Sequence, residues 1–520
     1  MHNPDLLLLG GRIQALGQHA PAEALLVRRG QVAALGSEAE VRAAAAPGAR
    51  IIPLDGAVAT PGLTDAHVHL TAWGLARQQV DLASARTLES ALDRSAGYRG
   101  EGWVRGHGWD AHRLGALPTR HQLDRVVPDR PALLDSHDLH AAWLNSAALA
   151  RCGISRDTPD PPGGQIVRDD DGEPTGILLE TAVRLAAVHL PEPSRAEVQA
   201  ALLDAQGALH AWGITGVHSV ETTGRKDWQE LRAAGALRLR VLQSIPLDEL
   251  DSAVEEGLRS GAGDEWIRTG GVKMFLDGAL GSRTALLREP YQGELAYRGI
   301  GTLVPQIFRE AAKRAARAGI ATTVHAIGDA AVGLALDVLS EVPPPSALPH
   351  RIEHLQLCPP EWWGRAARAG IVASMQPVHV RSDIAAAEQH WGHARCRGAY
   401  AFAPLLQAST VLAFGSDAPV ETPDPRQGLY AATARVGWDG EPSGGWFPEH
   451  GLTPEQALRA YTEGPAYAAG EAGRRGRLSP GYQADLAVWD RDPLGCTPEE
   501  LLELQCRLTL VAGEIVYERQ

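Results

Sequence analysis

Lysine is almost missing from this chain. Of 49 basic side chains in 520 residues three are Lys, at positions 226, 273 and 313, so arginine supplies nearly all the cations. Lys273 is therefore conspicuous: Val272 precedes it and Met274 and Phe275 follow, an apolar setting in which a solvated cation would not be placed without a reason. Cysteine is scarce as well. The five, at 152, 358, 396, 496 and 506, are odd in number and widely spaced with no C-x-x-C pair, which argues against a disulfide framework and a thiolate zinc site. No apolar run approaches the roughly 18 residues of a membrane span. Leu6 to Leu9 is too short for a signal-peptide core and has no basic region before it, so a cytoplasmic protein without a membrane partner is expected. Excess positive charge is also lacking: the formal charge of -14 argues against a nucleic-acid partner, which needs a basic face. Neither Gly10-Gly11 nor Gly163-Gly164 forms a phosphate-binding fingerprint, and no G-x-x-x-x-G-K-[ST] occurs, so nucleotide hydrolysis is unsupported.

What is present is a globular composition, 44% apolar, in a chain long enough for two or more domains. Its focus is the stretch Thr60 to Leu70, where a turn signal leads into a short run carrying His67 and His69. On a strand, residues i and i+2 point to one face, so an H-x-H pair presents two imidazoles toward a common point, as a metal requires. Two ordinary half-buried polar positions are the plain alternative. Later strand-like runs each carry one ligand-type residue: Lys273 in 271–275, His325 in 321–325, His354 in 351–355 and Asp417 in 411–417. Each run is apolar and bounded by turn residues, as expected of strands buried on both faces. Ligands at the ends of successive parallel strands converge at one mouth of a barrel.

The spacing supplies the strands for such a barrel. Runs at 214–220, 237–245, 271–276, 321–327, 350–356, 371–376 and 410–415 join the His67 strand to make eight, with helical stretches such as 307–318 and 330–339 between them. Strand-like runs at 103–109 and 131–137 would be surplus, so residues from about 75 to 205 are assigned to an insert between barrel strands 1 and 2. Insertions there sit at the active-site mouth, where this one would shape specificity. The Pro/Gly loop from Asp157 to Gly164 punctuates the insert. Short strands separated by Gly-rich turns are expected before Pro61, at 5–10, 11–15, 24–28, 31–34 and 50–54. The same texture returns near the C-terminus, at 476–478, 484–489 and 507–517.

The order H-x-H, Lys, His, His, Asp resembles the metal-dependent amidohydrolase superfamily. The segments 272–278, 281–285, 325–329 and 414–420 resemble its YtcJ-like branch, the amidohydrolase 3 family, and the likeness runs over nearly the whole chain. The resemblance implies an α/β fold: a TIM-like (β/α)8 barrel, residues 62–472, beside a small β-sandwich built from both termini, residues 1–61 and 473–520. It implies that His67, His69 and Asp417 hold one divalent ion and that His325 and His354 hold a second. Lys273, carboxylated by carbon dioxide to a carbamate, would bridge the two. Zinc suits a site rich in imidazole with some carboxylate, with manganese, iron and cobalt as alternatives. Water shared by two divalent cations loses a proton near neutral pH, and Asp417 is the natural base and later acid. The expected reaction is hydrolysis of a C–N amide bond in a small-molecule amide or formamide. A mononuclear deaminase of the same superfamily and a catalytically inactive binding barrel are the alternatives, and oligomeric state, a homo-oligomer included, is left open.

Further residues are candidates for touching substrate. Arg283, in the loop after strand 4, can hold a carbonyl or carboxylate bidentately, unless it is simply a solvated loop arginine. His218 after strand 2 and His379 after strand 7 are placed to line the mouth, with hydrogen-bonded structural histidines as the alternative. Glu180 can reach the site from the insert, whereas His107, His112, His137 and His140 lack metal-ligand spacing and read as structural. For Lys273 the alternative to a carbamate is a snorkelling amine paired with an acid such as Asp277.

Overall fold

A computed structural model describes residues 4–519 apart from 18–20, 101, 110, 116, 137–140, 162–163 and 222–223, together with the backbone but not the side chains of 112, 113 and 180. His137, His140, part of the 157–164 loop and the side chains of His112 and Glu180 therefore lie outside the described residues. The chain divides into two compact units, one formed by residues 1–70 and 206–520, the other by Thr71–Ala205.

Eight parallel strands make the centre of the first unit: β1 (Leu63–Val68), β2 (Ile214–Ser219), β3 (Arg240–Pro246), β4 (Ile267–Phe275), β5 (Thr322–Ala326), β6 (Arg351–His354), β7 (Val372–Met375) and β8 (Leu412–Phe414). They follow one another in sequence order around the sheet. Most of their residues are buried, which is why they read as apolar runs rather than as an in-out alternation. Helices such as Pro305–Arg317 after β4 and Asp329–Glu341 after β5 supply the crossovers that parallel pairing requires. The sheet ladder runs from β8 round to β1, and the two ends meet just beyond β8: Asp417 N–H donates to the His67 carbonyl at 2.8 Å and His69 N–H to the Ala418 carbonyl at 2.9 Å. The fold is the α/β barrel expected from the sequence, with small sheets built partly from the termini.

Two of those sheets belong to the same unit. One has four strands in the order Gln31–Gly36, Ala24–Arg28, Leu6–Leu9 and Arg50–Pro53. The other has five, in the order Arg12–Ile13, Val58–Pro61, Leu486–Trp489, Cys506–Val511 and Glu514–Glu518, so strands from both ends of the chain pair directly. Their apolar faces share a core in which Leu6, Leu8, Leu25 and Val27 meet Leu486, Val488, Leu508 and Leu510. Three details differ from the sequence reading. Residues 476–478 are not a strand, Val58–Pro61 is one, and Glu38–Ala44 is a helix entered through a capping box between Ser37 and Glu40.

The second unit is a six-stranded sheet in the order Gly164–Arg168, Pro174–Glu180, Ala141–Leu144, Ala132–Ser136, Val104–Trp109 and Val80–Asp81. Apolar clusters cover both of its faces, one around Trp109, Trp143 and Leu134 and the other around Leu133, Leu144 and Leu178. The unit begins at Thr71, a few residues before the limit expected from the sequence. Among the described residues no helix is long and apolar enough to cross a membrane.

Barrel and terminal sheet are joined by a buried ion pair. Arg240 of β3 donates from Nε and Nη2 to the two oxygens of Asp485 at 2.6 and 2.9 Å. Burial opposes both charges, yet Arg240 and Arg475 hold the Asp485 carboxyl below its usual range. A depressed carboxyl stabilises the fold above the ordinary carboxylate pKa, and that contribution is lost as pH falls through the folded-state value. Asp485→Asn should cost about 3–5 kcal/mol at neutral pH because it strands a buried guanidinium, and chemical denaturation at pH 7 would measure the loss.

Candidate metal centre

The register of the central strands sets the height of each side chain. Lys273 lies level with Thr323, Phe275 with His325, His325 with Glu353, and Ala326 with His354. Lys273 thus sits two residues, about 7 Å, deeper in the barrel than the His325 layer. Glu353 and His354 are consecutive and would point to opposite faces of a regular strand. Yet the Glu353 carboxylate is 2.5 Å from His67 Nδ1, and the His354 ring centroid is 4.8 Å from that of the same His67. The backbone allows this because β6 ends there: His354 has a φ of +71° and Leu355 of +44°. Asp417, at +63°, is likewise left-handed. Non-glycine residues in that region cost of order 1–3 kcal/mol each and cluster where the surrounding structure needs an unusual side-chain direction.

Asp417 is the hub. Its Oδ1 lies 3.2 Å from His67 Nε2 and 3.3 Å from His69 Nε2, and its Oδ2 lies 3.6 Å from His379 Nε2. Ligand-type atoms of His67, His354 and Asp417 all fall within 4.8 Å of one another, and the three residues are buried. The His325 ring stacks edge-on against His354 with centroids 4.4 Å apart. His325 Nε2 faces the Gly278 carbonyl at 2.9 Å, so the proton resides there and Nδ1 keeps its lone pair. Lys273 Nζ lies 4.8 Å above the Phe275 ring, whose centroid is 5.3 Å from that of His325.

A metal would answer what the protein leaves unmet. Lys273 Nζ, His67 Nε2, His354 Nδ1 and His379 Nε2 are buried polar atoms without a hydrogen-bond partner of acceptable geometry. Unpaired buried polar groups are rare and call for an explanation. Burial, then the charge of Lys273, pushes His325 down to about 3, and burial pushes His354 well below its ordinary value. Both are held neutral, the state in which imidazole ligates. Burial also lowers Lys273 to about 8. Burial alone would raise the Asp417 carboxyl, but His67 and then His69 hold it well below the usual carboxylate range.

The structure brings His67, His69, His325, His354, His379 and Asp417 together, with Lys273 beneath them. Other candidates have partners of their own. His218 lies within β2 rather than after it, is 3% exposed, and has its Nδ1 2.8 Å from Arg351 Nη1, so it is a hydrogen-bonded residue of the barrel interior. Arg283 pairs with Glu294 and packs over Tyr291 and Tyr297, and its Nε is left without a hydrogen-bond partner. Asp277 does not pair with Lys273. Its carboxylate accepts from the backbone of Leu286, Ile327 and Gly328 at 2.8–3.0 Å, tying the loop after β4 to the loop after β5.

Two acids escaped the sequence reading. Asp65 accepts from His67 N–H at 3.1 Å and from Ser416 N–H and Oγ at 3.0 and 2.6 Å, locking the β1 end to the β8 loop. Glu353 is fully buried against His67. In both cases charged residues stand two apart in an otherwise apolar strand, Asp65 with His67 and Arg351 with Glu353, which is the signal that would have found them.

A parallel barrel whose strand ends gather imidazoles, one lysine and one carboxylate defines a metal-site barrel of the amidohydrolase type. The chain belongs to the amidohydrolase family, whose profile matches residues 50–517. It is 34% identical to YtcJ of Bacillus subtilis, a provisionally named amidohydrolase, over 96% of each chain. It is 30% identical to the N-substituted formamide deformylase of Arthrobacter pascens, over 99% of this chain and 98% of that one. Among solved structures, an uncharacterized metal-dependent hydrolase from Pyrococcus furiosus superposes with a TM-score of 0.80 at 29% identity, covering 94% of this chain and all of that one.

The seam that carries Asp417 has no room to spare. A Cβ on Gly415 would come within 2.4 Å of His67 N and 2.8 Å of Asp65 Oδ1. Gly415→Ala should therefore destabilise the fold by about 1–3 kcal/mol, read as a lower denaturation midpoint against wild type.

Proposed function

We propose that this chain is a metal-dependent hydrolase that cleaves the C–N bond of an N-substituted amide or formamide. The observation that carries the reading is the convergence of buried, unpartnered donor atoms of His67, His354 and Lys273 beside Asp417. The A. pascens relative, named for deformylating N-substituted formamides, supports the substrate class. In this reading His67, His69 and Asp417 would hold one ion, and His325 and His354 the other. A donor set of four imidazoles with one aspartate suits zinc.

Lys273, as a carbamate, would join the two. Its buried amine, lowered to about 8, has a neutral fraction near physiological pH, and that fraction adds to carbon dioxide with release of a proton. Arginine could not take its place, since a guanidinium stays protonated. Divalent ions held there would polarise the substrate carbonyl and make water acidic enough to attack near neutral pH.

The chain's own groups then move the proton. Asp417, kept ionised by its histidine neighbours, accepts a proton from the attacking water as the new C–O bond forms. It returns that proton to the nitrogen as the C–N bond breaks, releasing an acid and an amine. His379, 3.6 Å from Asp417 Oδ2, flanks the carboxylate on the side away from His67 and His69.

Metal analysis of the purified protein should give about two ions per chain, where a one-ion deaminase would give about one and an inactive binding barrel none. Asp417→Asn should keep at least the second ion and lose about 100-fold or more of turnover, assayed against N-formyl, N-acyl and cyclic amides. Near-native turnover in that variant would remove Asp417 from the role of base.

A further inference from the structure

Strand β6 reaches across the barrel to β1 at two points. Glu353 Oε2 lies 2.5 Å from His67 Nδ1, and Arg351 Nη2 donates to the Ala66 carbonyl, one residue before His67, at 2.6 Å. The two side chains also face each other, with Arg351 Nε 2.9 Å from Glu353 Oε1. Arg351 is fixed in turn by Ser374 Oγ of β7 at 2.8 Å and by His218 Nδ1 of β2 at 2.8 Å. Arg351 is 3% exposed and Glu353 is fully buried. A buried carboxylate of this kind is tolerated only where strong partners hold it.

We infer that Arg351 and Glu353 form a clamp across the barrel in which Glu353 is a positioning residue: it accepts the hydrogen bond of His67 Nδ1–H and so fixes Nε2 as the ring nitrogen that faces the metal position beside Asp417. The inference rests on the metal-hydrolase reading. An imidazole can ligate through either nitrogen, and the group bonded to one fixes which remains free. Here Nδ1 is occupied by Glu353, while Nε2 is 3.2 Å from Asp417 and has no hydrogen-bond partner. Arg351 adds the second constraint, since its hold on the Ala66 carbonyl sets the height of the His67 backbone while Glu353 sets the angle of its ring. The buried pair Arg351–Glu353 is thus explained by what it orients.

The test is a double-mutant cycle on zinc affinity in the full-length chain, stripped of metal and titrated with zinc against a chromophoric chelator. Glu353→Gln should weaken zinc binding about 10- to 100-fold in the wild-type background. In the His67→Ala background the same change should alter affinity by no more than about twofold, because the ring it orients is gone. An unchanged affinity in the first background, or equal losses in both, would overturn the clamp. If melting of the metal-free protein shows that Glu353→Gln does not fold, Glu353→Asp takes its place in the same cycle with the same two outcomes, since it keeps a charge beside Arg351 and withdraws the carboxylate from Nδ1. A wild-type chain that does not bind zinc would instead sink the metal-hydrolase reading itself, and the clamp with it.

Discussion

Closure of the barrel and assembly of the candidate site depend on the same contact between β1 and the loop after β8. Asp417 N–H bonds the His67 carbonyl while the Asp417 carboxylate lies against the rings of His67 and His69. Asp65 reinforces the seam from β1 through Ser416, and Gly415 permits an approach that any side chain would block. A barrel joined anywhere else around its circumference would leave the two imidazoles of the H-x-H pair without their carboxylate. The left-handed backbone at Asp417 and His354 follows from this demand, because both residues must turn their side chains inward where a strand would turn them away.

Low dielectric then does the rest. Burial lowers the proton affinity of His325, His354 and Lys273, which readies these three to give up protons to a Lewis acid, whereas Glu353 and Asp417 override burial and raise that of His67. The acids divide into two kinds. Asp417 and Glu353 are kept ionised by cationic or proton-donating neighbours, whereas Asp65 and Asp277, with backbone amides and a hydroxyl for partners, are pushed up by burial to about 6 and about 7. The first pair faces the imidazoles and the second pair braces the loops, so environment alone assigns different work to chemically similar side chains. Deeper in the barrel Arg240 and Asp485 use the same pairing to fasten the terminal sheet.

Much of this was legible in the sequence because His67, His325, His354 and Asp417 each stand at or near the end of a short apolar run, and parallel strands carry such residues to a common rim. Lys273 was legible from composition, as one of three lysines and the one set among apolar neighbours. The second layer was not. Glu353 and Arg351 read as ordinary strand residues until their contacts with His67 and Ala66 show that they face inward, and His218 was set after strand 2 because spacing alone does not fix where β2 ends against β1 and β3. The pairing of Arg283 with Glu294 was not legible because Glu294 lies in a loop without periodicity. The strand Val58–Pro61 was hidden for a similar reason, since its partner Leu486–Trp489 is more than 400 residues away.

In the proposed reading the buried cluster holds two ions joined through a modified Lys273. Crystals of zinc-loaded protein, with anomalous data collected above and below the zinc edge, test it most directly. The account predicts two anomalous peaks, one beside His67, His69 and Asp417 and the other beside His325 and His354, with carboxylate-shaped density on Lys273 Nζ between them. A single peak accompanied by a bare Lys273 amine that reaches no ion would contradict it.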